Sequence, residues 1–137
     1  MGPMFEPAFT LTLIASPEDI DELGHVNNVV YLRWVEAVAR AHSEQLGFGI
    51  DRYKAFAAVP VVRRHTLVYH VPAMSGDEIQ VHTRIASLHG VRATRETRIE
   101  RADTVLAEAE TEWVWIDPVR NRPVRIPDDV AVAFTSG

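Results

Sequence analysis

The apolar residues of this chain change period twice, and the change limits what it can fold into more than any other feature. Segment 8–15, AFTLTLIA, alternates as a strand does, with Phe9, Leu11 and Leu13 on one side. From Asn28 to Leu46 the spacing becomes helical. Val29, Val30, Leu32, Trp34, Val35, Val38 and Ala41 surround much of a helix, while Arg33, Glu36, Arg40, Ser43 and Glu44 recur at three- and four-residue steps as its polar stripe. Asn27 or Asn28 supplies an N-cap and Gly47 the C-terminal stop, so both ends are signalled locally. A helix this apolar must be covered on most sides.

The C-terminal two thirds of the chain can cover it. After a mixed loop over 47–60, four runs near 61–71, 78–88, 91–101 and 104–116 read as strands, and every segment after the loop is expected to be extended. Short turns at 73–77, 88–90 and 102–103 connect them as antiparallel hairpins. Alternation puts Ile79, Val81, Thr83 and Ile85 on one face, against Glu78, Gln80, His82 and Arg84. In the last run Val105, Ala107, Ala109, Thr111 and Trp113 oppose Leu106, Glu108, Glu110 and Glu112. Arg92, Glu96, Arg98 and Glu100 fall on the wet face of the run between them, where Arg98 can meet the glutamates of the last strand. Ala107 and Ala109 are small and inward, which leaves room for the helix. The expected class is therefore α+β: one long central helix wrapped by a curved antiparallel sheet of five or six strands. Such a sheet has open edges, and pairing through an edge strand with a second copy is the expected remedy.

A length of 137 residues suits one domain over 1–137, and hydrophobic and charged fractions of 47% and 24% are those of a folded globular domain. Met1–Pro3 read as a cloning scar and 128–137 as a flexible C-terminal tail. The chain has no cysteine, which removes thiolate nucleophiles, cysteine-zinc sites and disulfides together and fits a cytoplasmic setting. A net charge of −5 argues against nucleic-acid binding. No apolar run is long enough for membrane insertion, and the first residues carry no secretory-signal pattern.

Chemistry concentrates in segment 19–28, DIDELGHVNN, where carboxylates, an imidazole and two amides lie between a strand and a helix start. Free N–H groups and the positive end of the dipole at such a start favour an oxyanion. A carboxylate beside it can attack or take a proton from water, and a histidine can orient substrate or shuttle protons. Together they suggest hydrolysis of an activated acyl group. Asp and Asn before a helix also serve as caps and turn formers, and Gly24 can serve a positive φ, so the loop's composition leaves both readings open.

A longer pattern bears on the choice. Asp21-x-x-Gly24-His25-Val26-Asn27-Asn28-x-x-Tyr31-x-x-Trp34-x-Glu36 resembles the loop and central helix of the hotdog-fold acyl thioesterases, the 4-hydroxybenzoyl-CoA thioesterase superfamily. The resemblance continues through Tyr69, Pro72-Ala73-x-x-Ser75-Gly76-Asp77, Arg98-Ile99-x-Arg101, Ala107-x-Ala109-x-Thr111-x-Trp113-Val114 and Arg122-Pro123-Val124-Arg125-Ile126-Pro127, so it spans nearly the whole chain. It implies a hotdog fold and hydrolysis of an acyl-CoA or acyl-carrier-protein thioester to a carboxylic acid and free thiol. It also implies a site at the interface of a homodimer or homotetramer, with no cofactor and no metal. Asp21 matches the family's catalytic carboxylate, as nucleophile or general base, and the backbone N–H of Asn28 its oxyanion donor, with Gly24 and Asn27 completing the helix start. His25 matches the histidine of the plant acyl-carrier-protein thioesterases. Those enzymes read Asp-x-Asn-x-His, whereas Leu23 stands where their asparagine would be.

Other residues carry two readings each. Glu36, four before Arg40 and three after Arg33, suits an ion pair, and relatives carry an acid there, which makes it a catalytic candidate as well. Tyr31, Tyr53 and Phe56 are candidates for substrate binding, the last two as an acyl pocket or as a satellite core. Arg92 could meet a coenzyme A phosphate or simply be a solvated strand residue. The remaining histidines show no metal-ligand spacing, and no serine has a G-x-S-x-G setting. The alternatives to thioester hydrolysis are a hydratase or dehydratase of the same fold and a non-catalytic acyl-thioester binding module.

Overall fold

The computed structural model describes residues 5–135, so Met1–Pro3 and the last two residues lie outside the described residues. The chain runs β1 (Phe9–Ile14), a 3₁₀ turn (Pro17–Asp19), α1 (Asn28–Gln45), α2 (Ile50–Ala55), β2 (Val59–Tyr69), β3 (Glu78–His89), β4 (Arg92–Arg101), β5 (Thr104–Asp117), β6 (Arg122–Pro123) and α3 (Asp128–Thr135). The sheet has the order β1-β3-β4-β5-β2, with β6 pairing the far end of β5, and every pairing is antiparallel.

Helix α1 forms where its caps and its stripe place it. The Asn27 side chain accepts from the Val29 N–H, and Gly47 just past the last turn takes φ +93°, a backbone shape that a Cβ disfavours. Val30, Tyr31, Trp34, Val35, Val38, Ala39 and His42 form its buried face. That face packs on Ile79, Val81, Ile99, Leu106, Ala107 and Ala109 of the sheet. Ala107 and Ala109 share this core, but the helix backbone comes nearest to β3 and β1 rather than to β5. Each fully buried aliphatic side chain of this layer contributes roughly 1.5–3 kcal/mol. Val29, expected in the apolar surround, is 57% exposed instead.

Three expectations need correction. The 47–60 loop contains the short helix α2, closed over Phe48 and Tyr53. Residues 128–135 form helix α3 rather than a tail: Val130 is fully buried and Phe134 meets the His42 ring edge-to-face at 5.2 Å. The alternation expected across β5 breaks at Leu106. Ile99 pairs with Ala107 but Glu100 pairs with Val105, so Leu106 is the extra residue of a bulge. It turns into the core with no exposed surface, not outward with the glutamates.

The opposite sheet face carries the ionic ladder. Arg98 pairs in register with Glu108, 3.9 Å apart, and Arg84 lies 3.1 Å from Glu96. Exposed pairs of this kind contribute less than about 1 kcal/mol each. Strand β2 is hydrogen-bonded to β5 alone, and Val61, Val62, Val68 and Tyr69 are exposed along it.

Candidate active site

The segment from Asp19 to Asn28 is a tight turn tied to the body at several points. Ile20 and Val26 form an antiparallel bridge, the Asp21 N–H donates to the His25 carbonyl at 2.8 Å, and Gly24, at φ +81°, donates to the Asp21 carbonyl at 3.1 Å. The Asp21 carboxylate closes the turn from inside: Oδ1 accepts from the Leu23 N–H at 2.9 Å and from the His25 N–H at 3.3 Å. Its Oδ2 has no partner among the described residues. So the capping and turn-forming role of Asp21 is real, and it occupies one carboxylate oxygen while leaving the other. Asp19 is a cap as well, its Oδ2 accepting from the Ser16 N–H at 3.1 Å.

The helix start is held by two further bonds. The Asn27 N–H donates to the Asp19 carbonyl at 2.8 Å, and the Val26 N–H to the Ala73 carbonyl at 2.9 Å. With Asn27 Oδ1 taking the Val29 N–H and the Asn27 carbonyl taking the Val30 N–H, the Asn28 N–H is the first helical donor without an acceptor among the described residues. The half-exposed Tyr69 of β2 donates its hydroxyl to the Asn28 carbonyl at 3.2 Å, which joins the edge strand to this turn of α1. The imidazole of His25 is partly buried and makes no hydrogen bond among the described residues. Leu23, at the turn's tip, is 79% exposed.

Tyr31 lies beneath the site, 2% exposed, and not in it. Its hydroxyl accepts from the Ala73 N–H at 2.8 Å and its ring meets Trp34 and Tyr69 edge-on at 5.3 and 5.2 Å. Burial pushes its hydroxyl pKa up, so it stays protonated at any ordinary pH. The Ala73 loop that it holds is itself pinned by Asp77, whose Oδ2 accepts from the Met74 N–H and from Arg101 Nη1.

The other expected residues are not gathered here. Glu36, exposed on α1, approaches His65 Nε2 of β2 at 3.7 Å and makes no ion pair with Arg33 or Arg40 among the described residues. Arg92 lies on the sheet face opposite α1, 3.2 Å from Glu112, which also takes Arg63. Tyr53 is buried behind the far half of α1, its hydroxyl 2.6 Å from Ser43 Oγ, and Phe56 lies under the Arg52 guanidinium. Neither shares a wall with Asp21. Arg95 is missing from the residues that the sequence singles out, yet it is 4% exposed and hydrogen-bonded to His42. The signal was present: Arg95 alternates with Ala93, Thr97 and Ile99, so the strand that turns Arg92, Glu96 and Arg98 outward must turn it inward.

The helix-in-sheet topology is that of the hotdog fold, and comparison with known proteins identifies a thioester hydrolase of that fold. The model of the thioesterase-like superfamily matches residues 15–134, so the chain belongs to that superfamily. It is 32% identical over 121 residues to the acyl-CoA thioester hydrolase YbgC of Escherichia coli O157:H7, covering 85% of this chain and 88% of that protein. A hypothetical protein from Thermus thermophilus, TT1821, superposes with a TM-score of 0.85 at 27% identity, over 95% of this chain and 98% of that one. A 1,4-dihydroxy-2-naphthoyl-CoA thioesterase from Synechocystis has the same fold, with a TM-score of 0.85 at 18% identity, over 93% and 96%. Among the described residues no helix is long and apolar enough to cross a membrane.

Proposed function

We propose that the protein hydrolyses an acyl-CoA thioester to a carboxylic acid and free coenzyme A at the start of α1. The observation that carries this reading is the unspent Asn28 N–H seven residues after a carboxylate with one unspent oxygen. The thioester carbonyl sits on that N–H, where the helix dipole favours the charge that develops on oxygen. Asp21 Oδ2 takes a proton from water as the water oxygen attacks, or attacks the carbonyl carbon itself to give, once the thiolate has left, a mixed anhydride that water cleaves to the free acid and the Asp21 carboxylate. The tetrahedral intermediate then collapses, the C–S bond breaks, and the sulfur leaves as a thiolate whose thiol has a pKa of about 8.5, so that it needs little protonation. That is why so sparse a site suffices.

The name of the Escherichia coli relative supports coenzyme A as the carrier, and the cysteine-free sequence suits the reducing cytoplasm. We also propose that the working unit is a homodimer built across β2. An 11-residue edge strand with exposed valines is a liability unless paired, and Tyr69 links that strand to the Asn28 carbonyl, so a partner there also borders the site.

Thiol release measured over a panel of acyl-CoA and acyl-carrier-protein thioesters tests the reading. Turnover is expected with at least one acyl-CoA and is expected to fall by about 10²–10⁴ in Asp21→Asn. Saturable binding with no turnover, or an enoyl product with no thiol release, would refute it.

A further inference from the structure

Behind the C-terminal half of α1 lies a cavity of about 210 Å³, apart from the Asp21 turn. Ala39 is the first residue of α1 in its wall, 11 residues beyond Asn28, which is about 16 Å of helix. Most of the wall is apolar, with Phe48, Tyr53, Trp113, Trp115 and Phe134 the large rings, and the exposed Arg40 and Glu44 border it. One charge is set deep in it. Arg95 Nη1 donates to His42 Nδ1 and to Thr83 Oγ1, both at 3.0 Å. Neither partner is a counter-ion: burial, and then the Arg95 charge, hold the His42 imidazole down at about 4, so it is neutral. Burial lowers the guanidinium only to about 10, so it stays charged.

Among the described residues no carboxylate forms an ion pair with Arg95. Its Nε is buried without an acceptor, and so are the indole Nε1 atoms of Trp113 and Trp115. All three unspent groups belong to residues of this one wall, and all three are donors. Folded chains rarely bury a charge unpaired, or a donor unbonded. With Nη1 spent and Nε enclosed, the guanidinium retains the N–H groups of Nη2, which have no acceptor among the described residues and are charged donors of the kind that meet a carboxylate.

We propose that this cavity binds a small organic carboxylate, an acid whose aromatic or short aliphatic body lies against the tryptophans and whose carboxylate takes the N–H groups of Arg95 Nη2. A ligand carrying a negative charge answers the guanidinium that this wall holds without a counter-ion. The volume is sufficient, since an apolar cavity of about 150 Å³ admits benzene. This site is distinct from the hydrolytic one, and the inference holds whether or not the protein hydrolyses thioesters at Asp21.

Isothermal calorimetry on the whole protein at fixed ionic strength, with benzoate and hexanoate against the neutral benzamide and hexanamide, tests it without any turnover. At least one acid is expected to bind saturably, with its amide at least tenfold weaker, and to quench tryptophan fluorescence in parallel. Arg95→Met, checked for folding by circular dichroism, is expected to weaken that acid at least tenfold. Equal binding of acid and amide, binding of neither, or undiminished binding of the acid by folded Arg95→Met overturns the proposal. Should Arg95→Met not fold, the contrast between acid and amide in the wild-type protein decides alone.

Discussion

Replacing Asp21 in two ways separates its structural duty from its chemical one. Asparagine keeps an oxygen where Oδ1 accepts the Leu23 and His25 N–H groups, so the turn survives, but it cannot take a proton or attack. Alanine removes both acceptors. The two bonds are 2.9 and 3.3 Å long and only partly buried, so their loss costs about 1–2 kcal/mol, comparable to deleting a helix cap. For a chain of this size that is a drop in melting temperature of roughly 3–8 °C. Asp21→Asn is expected to melt within about 2 °C of wild type and yet lose about 10²–10⁴ in kcat/KM, the usual contribution of a general base. At ~1.4 kcal/mol per decade this is about 3–5 kcal/mol of transition-state stabilisation, well above the structural effect. Scanning calorimetry and a thiol-release assay on the same preparations measure both. Wild-type turnover in Asp21→Asn would refute the assignment of Asp21, and a melting loss equal to that of Asp21→Ala would refute the account of the turn.

His25→Ala should lower turnover less than Asp21→Asn, because Leu23 replaces the asparagine that relatives set beside the histidine; equal losses would contradict this. Tyr31→Phe strands the buried Ala73 N–H and is expected to cost about 1–3 kcal/mol in urea unfolding, and an unchanged midpoint would show that the loop finds another acceptor. His42 titrates at about 4 in the fold and near 6.5 unfolded, so the unfolded chain binds the proton more readily. Its contribution is therefore complete above about pH 6.5 and is lost as pH falls towards 4, up to about 3 kcal/mol in all. His42→Gln should flatten that part of the stability profile. Val68→Arg on the open edge of β2 should shift the protein towards monomer in sedimentation and reduce turnover with it; a fully active monomer would exclude the proposed interface.

Local chemistry explains why so much of this protein is legible in its sequence. The ends of α1 are written in Asn27 and Gly47, and alternation places β1, β3, β4 and β5 to within two residues. The Asp21 turn and the helix start are neighbours along the chain, so the pattern that names them also brings them together. The resemblance to the acyl thioesterases rests on these same local features.

What the tertiary structure decided depends on contacts between distant segments. An eight-residue helix such as α3 is too short to hold itself, and it exists because it lies against β3, with Val130 in the cluster of Phe48 and Trp115 and Phe134 on the His42 ring, a surface that no local pattern near residue 130 encodes. Leu106 turns inward because one extra residue shifts the register between β4 and β5, and alternation read along one strand is blind to its partner's count. Tyr31 became a buried strut once the Ala73 loop folded over it. Arg95 was placed on the inner face by its own strand, but whether an inward arginine meets a carboxylate, water or a neutral histidine depends on what α1, α2 and α3 bring to it from elsewhere in the chain. They bring His42, aromatic rings and space, and no counter-ion.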